Sequence, residues 1–179
     1  MTKKILTTLL YTFIFLFSLP VQATGKPTLL LVSIDGLKYS HIIDAQKRGI
    51  SLPNFQKFIQ NGTYATGVTG VFPTLTYPSH TSLLTGVSPK KHGITHNFIF
   101  EPERKQQNYW TWFTEDIRVP TLWDEARENG LTTANVDWPV SVGASIDFNI
   151  VQYWHAGTQT DTQLIRALST PQLVKTIEK

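Results

Sequence analysis

Residues 28–36 read Thr-Leu-Leu-Leu-Val-Ser-Ile-Asp-Gly, and this stretch decides the fold class. Its first seven residues are mostly aliphatic, and the run stops at Asp35 and Gly36. An apolar run without polar alternation is typical of a strand buried on both faces, as in a parallel sheet covered by helices. The sequence therefore predicts a buried parallel strand at 28–34, with Asp35 at its carboxyl end.

The rest of the chain alternates between helical and strand-like patterns. Helices are predicted at 39–47, 53–61, 78–85, 120–129 and within 159–179, where Asp161 and Thr170 are candidate caps. Strands are predicted at 63–72 and 131–136. Prolines in first turns and glycines after last turns mark several of these helices. The alternation predicts an α/β fold with a mainly parallel sheet sandwiched by helices.

Residues 97–114 are rich in aromatic and polar side chains and have no clear period. The segment is predicted to run over the surface near the edge of the sheet that carries the loops. Its aromatic residues either line a pocket that stacks a base or packs a lipid, or form a packed flap, and the flap is favoured. They are Tyr109, Trp110, Trp112 and Phe113.

The first 23 residues have the layout of a secretory signal peptide. Lys3 and Lys4 precede an apolar run from Ile5 to Leu19, and the segment ends at the small residue Ala23. This order of charge, apolar run and small residue is typical of export signals. An uncleaved anchor is disfavoured because a spanning helix needs about 20 apolar residues. We expect residues 1–23 to be removed, leaving 24–179 as the domain with no membrane span.

The charge balance and the absence of cysteine limit the partners, the kinds of site and the cellular location that the sequence predicts. The 179-residue chain has 16 Lys and Arg, 13 Asp and Glu, and no cysteine. Without Lys3 and Lys4 the charges nearly balance, so no nucleic-acid binding is expected. The absence of cysteine excludes a thiolate nucleophile and a Cys-based zinc site. In an exported chain it also favours a bacterial origin, so a periplasmic or secreted location is expected.

Two polar residues stand where chemistry is expected. Asp35 follows a predicted strand at the edge where parallel sheets gather their sites, and a carboxylate suits a divalent metal. The alternative is an aspartate that stabilises its own turn. Thr76 lies near the start of a predicted helix, where the dipole favours an anion. A threonine hydroxyl needs a base or a metal to become a good nucleophile, and the alternative is a simple helix-capping turn.

Four motifs occur in order along the chain: VSIDG at 32–36, FPTLTYPSH at 72–80, LTG at 84–86 and HGI at 92–94. Together they resemble the opening half of the nucleotide pyrophosphatase/phosphodiesterase family, within the alkaline phosphatase superfamily. The overlap runs from about residue 28 to 139. The resemblance implies an alkaline-phosphatase-like core and a hydrolase of phosphodiester, pyrophosphate or phosphomonoester bonds. The substrate it implies is a nucleotide or another small phosphate ester.

The same resemblance assigns roles to three residues. Thr76 matches the nucleophile that forms a phosphothreonine intermediate, and Asp35 matches a metal-binding aspartate. The implied cofactor is a pair of divalent ions, expected to be zinc, which Asp35 and Thr76 both contact. Asn97 matches the asparagine whose amide holds a phosphoryl oxygen, a donor that can contribute a few kcal/mol to catalysis. The alternative for Asn97 is a loop residue that bonds its own backbone.

The chain also departs from the family pattern. Leu75 stands where many eukaryotic members have lysine, and Tyr77-Pro78-Ser79 stands where they have Phe-Pro-Asn, which leaves nucleotide preference open. The histidines are expected to be structural or solvated; they are His80, His92, His96 and His155. A sulfatase-like relative is disfavoured because the key position is threonine.

The later Asp and His motifs that complete the family's metal site do not occur in this sequence. We therefore expect a truncated or split family member, incomplete at the C-terminus. The alternative to an active enzyme is a non-catalytic remnant or one half of a split enzyme.

Overall fold

The computed structural model describes residues 28–100, 102–103, 109–154 and 159–178. The predicted signal peptide at 1–23 and His155 lie outside these residues. The chain divides into two compact units, Met1–Gly36 and Leu37–Lys179. Within the described ranges, no helix has the length and apolar character needed to cross a bilayer.

The described part of the first unit is residues 28–36. The predicted strand at 28–34 is not formed, and most of its aliphatic side chains face solvent, with Leu30 83% exposed. The prediction of a buried strand is wrong here because a strand needs a neighbour for its backbone groups. Residues 28–34 are not part of a β-ladder among the described residues. Asp35 and Gly36 form the predicted turn, with Gly36 at a φ of 74° that glycine adopts without strain.

The second unit contains short helices around one pair of strands. The helices in its described part are α1 (Tyr39–Ile43), α2 (Pro53–Asn61), α3 (Thr76–Thr85), α4 (Pro89–His92), α5 (Leu122–Glu128), α6 (Gln159–Leu168) and α7 (Pro171–Ile177). Single 3-10 turns lie at Gln46–Arg48 and Thr114–Asp116. Helix α2 has its predicted bounds, whereas the strand predicted at 63–72 is not formed.

The strands β1 (Ala134–Val136) and β2 (Phe148–Ile150) pair in parallel, with Asn135 opposite Asn149. The parallel pairing agrees with the predicted fold class. Strand β1 is shorter than the predicted 131–136, and β2 was missed because three residues are too few to show a period.

Two apolar clusters form the core of the second unit. The first contains Tyr77, Ile94, Trp112, Val140, Val142 and Val151, and the second contains Leu84, Trp123, Trp138 and Ile146. Helix α3 contributes Tyr77 to one cluster and Leu84 to the other. These residues are two helical turns apart and therefore lie on one face of α3. Burial of that face fixes the helix along its length.

A buried amide pair joins the two strands. The Nδ2 group of Asn135 donates to Oδ1 of Asn149 at 2.8 Å, and Oδ1 of Asn135 accepts from the Trp138 backbone N–H at 3.2 Å. The Nδ2 group of Asn149 donates to the Ser141 carbonyl at 2.9 Å. Both side chains are buried, so these bonds satisfy polar groups that would otherwise be costly. The pair holds the turn after β1 against β2.

Two predicted helix caps have other roles. Thr170 precedes α7, but its Oγ1 accepts from the backbone N–H of Asn149 at 2.9 Å and does not cap the helix. Asp161 lies in the first turn of α6 and does not precede the helix. A true capping box begins α5, where Thr121 and Asp124 each bond the other's backbone N–H.

His92 is fully buried at the end of α4. Its Nδ1 accepts from the Ile94 backbone N–H at 3.1 Å, so the neutral ring carries its proton on Nε2, 2.9 Å from Ser82 Oγ. Burial lowers the pKa of His92, partly opposed by a hydrogen bond to the Pro78 carbonyl. The histidine is structural, as the sequence analysis expected.

Replacing Asn135 with leucine should lower the free energy of unfolding by about 2–3 kcal/mol. The change leaves Oδ1 of Asn149 and the Trp138 N–H buried without their partner. Urea unfolding monitored by tryptophan fluorescence measures the loss. Asn54→Leu, at an exposed position of α2, serves as the matched control and should change stability by less than about 0.5 kcal/mol. Equal effects of the two substitutions would contradict the role of the amide pair.

Acidification should destabilise the fold through His92. The folded pKa lies below the unfolded value of about 6.5, so the unfolded chain binds the proton more readily. This contribution is present above about pH 6.5 and is lost as the pH falls through the folded pKa. Urea unfolding at pH 7.5 and 5.5 should show a smaller decrease for His92→Gln than for wild type. His41→Gln, at an exposed site, should keep the wild-type decrease.

Candidate active site

Helix α3 begins at Thr76, the predicted nucleophile. Leu75 precedes it with extended backbone, φ −109° and ψ 159°, and provides no side-chain cap. Pro78 occupies the third helical position and has no N–H to satisfy. The first turn therefore depends on a side chain from elsewhere in the sequence to accept its backbone donors.

Asn97 provides that acceptor. Its Oδ1 accepts a hydrogen bond from the backbone N–H of Tyr77 at 2.9 Å, across twenty residues of sequence. The two N–H groups of Asn97 Nδ2 are not used in this bond, and no described residue accepts a hydrogen bond from them. The half-buried Asn97 thus lies beside the start of α3, next to Thr76. Among the described residues, the Asn97 side chain bonds the start of α3 and not its own loop, which was the alternative interpretation of the sequence.

Backbone pairing holds Asn97 in place. The Thr111 N–H donates to the Asn97 carbonyl at 2.9 Å, and the Ile99 N–H donates to the Tyr109 carbonyl at 2.8 Å. Phe98 and Trp110 form an antiparallel bridge between these bonds. No strand pattern is present in the sequence here because the pairing is a single bridge between irregular segments.

His80 packs beneath the same turn. Its Nδ1 lies 2.8 Å from the Thr76 carbonyl oxygen, and its ring meets Trp138 edge-on at 5.1 Å between centroids. The residue is buried, and this bond involves the backbone of Thr76. His96 is exposed and accepts from the Phe98 N–H through Nδ1 at 3.1 Å. Both arrangements agree with the structural roles expected of these histidines.

Trp112 belongs to the first core cluster, and Trp110 and Phe113 pack against it, whereas Phe100 is 87% exposed. Trp112 is buried and stacks on Tyr153 at 4.2 Å between centroids, and its Nε1 donates to the Trp154 carbonyl at 2.9 Å. Trp110 lies between Phe98, at 4.5 Å, and Tyr77, at 5.4 Å. These contacts support the packed-flap interpretation of the segment.

Asp35 belongs to the first unit, and Thr76 and Asn97 belong to the second. The structure thus brings Asn97 to the helix start that carries Thr76, while Asp35 is described only within its own turn. Over the described ranges, no group of three or more His, Cys, Asp or Glu side chains is close enough to hold a metal ion.

One further polar residue near α3 was given no role by the sequence. Asp137 follows β1 directly and has a φ of 60°, which is uncommon for a residue other than glycine. Burial raises the pKa of the Tyr77 phenol, and the nearby charge of Asp137 raises it further. The turn that begins at Asp137 contacts α3 through Trp138, whose ring meets that of His80. The only sequence signal was an aspartate directly after a predicted strand.

The chain matches the family model described as type I phosphodiesterase / nucleotide pyrophosphatase over residues 29–175. It is 26% identical over 162 residues to ectonucleotide pyrophosphatase/phosphodiesterase family member 1 of Homo sapiens, covering 83% of this chain and 16% of the relative. It is 30% identical over 130 residues to family member 7 of Rattus norvegicus, covering 67% of this chain and 27% of the relative. The chain therefore spans less than a third of either relative.

The structure is similar to murine ectonucleotide pyrophosphatase/phosphodiesterase 5, solved as an inactive threonine-to-alanine variant in complex with AMP. The TM-score is 0.56 at 22% identity, and the match covers 79% of this chain and 38% of that one. This likeness confirms the alkaline-phosphatase-like α/β fold that the resemblance implied. By the family match along most of its length, the chain belongs to the type I phosphodiesterase/nucleotide pyrophosphatase family.

Proposed function

We propose that this chain carries the nucleophile half of a hydrolase that cleaves phosphodiester or pyrophosphate bonds, or phosphomonoesters, through Thr76. The observation that carries the proposal is the 2.9 Å bond between the Tyr77 N–H and Asn97 Oδ1. It brings an amide with available donors to the helix start that presents the threonine. A helix N-terminus also favours a phosphate group electrostatically.

The proposed reaction has two displacement steps. Thr76 Oγ1 forms a bond to phosphorus as the bond from phosphorus to the leaving oxygen breaks, and the hydroxyl proton passes to solvent. A water oxygen then attacks phosphorus, the bond to Oγ1 breaks, and Thr76 regains a proton. In both steps the Asn97 Nδ2 group donates to the phosphoryl oxygen that gains charge.

Metal activation is part of the proposal and rests on the family resemblance. Asp35 and Thr76 carry the oxygen donors that hard or borderline divalent ions take, with zinc expected. Bound ions would supply the positive charge that makes a threonine hydroxyl acidic enough to attack phosphorus. The described residues do not by themselves form a complete metal site. A working centre on this chain therefore needs donors additional to those that the structure describes.

The proposed substrate class is a nucleotide or another small phosphate ester. The similar murine protein was solved with AMP, which supports a nucleotide. We also propose export through the signal-like residues 1–23 to the periplasm or the exterior.

A second candidate is a non-catalytic remnant, or one half of a split enzyme. It is favoured by the lack of a metal-binding cluster among the described residues. Turnover of thymidine 5′-monophosphate p-nitrophenyl ester by the chain, with zinc added, separates the two candidates. Release of p-nitrophenol above the buffer rate supports the enzyme, and a rate equal to that of Thr76→Ala supports the remnant.

Thr76→Ala should abolish turnover of this ester, whereas Thr76→Ser should keep a measurable fraction because it retains the hydroxyl. Acid quenching followed by mass spectrometry should detect an added phosphoryl or phosphoester group at residue 76 in the wild type and the serine variant. Thr74→Ala, at an exposed residue, serves as the control and should leave turnover unchanged. Turnover by Thr76→Ala at the wild-type rate would exclude Thr76 as the nucleophile.

Asn97→Asp separates the two roles proposed for Asn97. The aspartate keeps an oxygen to accept from the Tyr77 N–H but replaces the donors with a carboxylate, so stability should hold while turnover falls at least about 100-fold. Asn97→Ala should lose stability as well as turnover. Urea unfolding and ester hydrolysis are the two measurements, with Asn54→Asp on exposed α2 as the control. Wild-type turnover by Asn97→Asp would contradict the donor role.

A further inference from the structure

Side chains hold both ends of one peptide group at the start of α3, the group that joins Thr76 to Tyr77. Its N–H donates to Asn97 Oδ1 at 2.9 Å, and its carbonyl oxygen lies 2.8 Å from Nδ1 of His80. A carbonyl oxygen accepts hydrogen bonds and cannot donate, so Nδ1 of His80 carries a hydrogen and donates it. Asn97 and His80 therefore fix this peptide plane from its two ends.

The His80 ring is itself held in place. The residue is buried, and its ring meets that of Trp138 edge-on at 5.1 Å between centroids. The Trp138 backbone N–H in turn donates to the buried Asn135 side chain at 3.2 Å. A donor whose ring packs against an anchored neighbour has its direction set by the fold. His80 thus connects the turn after β1 to the first residue of α3.

The bond from the His80 ring is additional to the regular helix pattern. In an α-helix the carbonyl of Thr76 accepts from the backbone N–H four residues later, which is the N–H of His80. Loss of the ring donor therefore does not leave this carbonyl without a partner, and the cost to folding should be small. The ring bond adds a second constraint on the orientation of the peptide plane.

This peptide plane controls both side chains of the proposed site. It sets the ψ angle of Thr76, and because threonine has few rotamers, the backbone largely decides where Oγ1 points. The same plane presents the N–H that Asn97 accepts, so its tilt also affects where the Asn97 Nδ2 donors point. A displacement of about 1 Å in such a pair can lower a reaction rate about 100-fold.

We infer that His80 is a positioning residue for the phosphoryl transfer proposed for Thr76, and that it acts by donating from Nδ1 to the Thr76 carbonyl. The inference rests on the proposed function, because Thr76 and Asn97 are the groups that the peptide plane orients. In this role the ring keeps its Nδ1 hydrogen throughout the reaction.

Two substitutions separate the donor from the ring. His80→Phe keeps an aromatic ring against Trp138 but has no donor, whereas His80→Asn keeps an amide donor close to the position of Nδ1 but loses the ring. The measurements are kcat and KM for thymidine 5′-monophosphate p-nitrophenyl ester with zinc added, urea unfolding, and hydrogen exchange of the Tyr77 N–H by NMR. His41→Phe, at an exposed position of α1, is the control and should match the wild type.

His80→Phe should lower kcat about tenfold at an unchanged KM and speed exchange of the Tyr77 N–H about tenfold, with little loss of stability. His80→Asn should lose more stability but keep more of kcat. Wild-type kcat in His80→Phe, or a kcat that falls in parallel with stability in the two variants, would overturn the inference while the role of Thr76 stands. Wild-type turnover no faster than that of Thr76→Ala would overturn the proposed function and the inference together.

Discussion

The buried hydrogen bond between the side chains of Asn135 and Asn149 organises the second unit. It joins β1 to β2 at opposed positions, and the remaining groups of the two amides hold the turn that follows β1. The backbone of Asn149 in turn bonds Thr170, which fixes the start of α7. Two buried amides raise the cost of any rearrangement because each lost bond leaves a desolvated polar group. The strained residues of the turn are stable for this reason.

The candidate site depends on that framework through α3. Tyr77 packs in the same cluster as Val140 and Val142, which lie in the turn held by the amide pair. Leu84 packs with Trp138 in the second cluster. The helix is therefore fixed at both ends, and the bond from Tyr77 to Asn97 defines its first turn. Thr76 is presented at a rigid helix start, which suits a nucleophile that must meet phosphorus in one direction.

The first unit shows how strongly a strand depends on its neighbours. Residues 28–34 have the composition of a central parallel strand, yet they form no strand and their aliphatic side chains are exposed. Apolar composition predicts burial only where another strand and covering helices exist. The chain spans 16% and 27% of two curated relatives.

The sequence by itself determined the family, the candidate nucleophile and most helices of the second unit. The order of the motifs identifies the family. Pro53 in the first turn of α2 and Gly86 after the last turn of α3 mark helix ends, because such residues act on the backbone within a few positions. The bond from Asn97 to the backbone beside Thr76 and the existence of β2 became apparent only from the folded chain. Both features depend on contacts between residues about 14 to 20 positions apart, and such contacts leave no periodic or local signal in a single sequence.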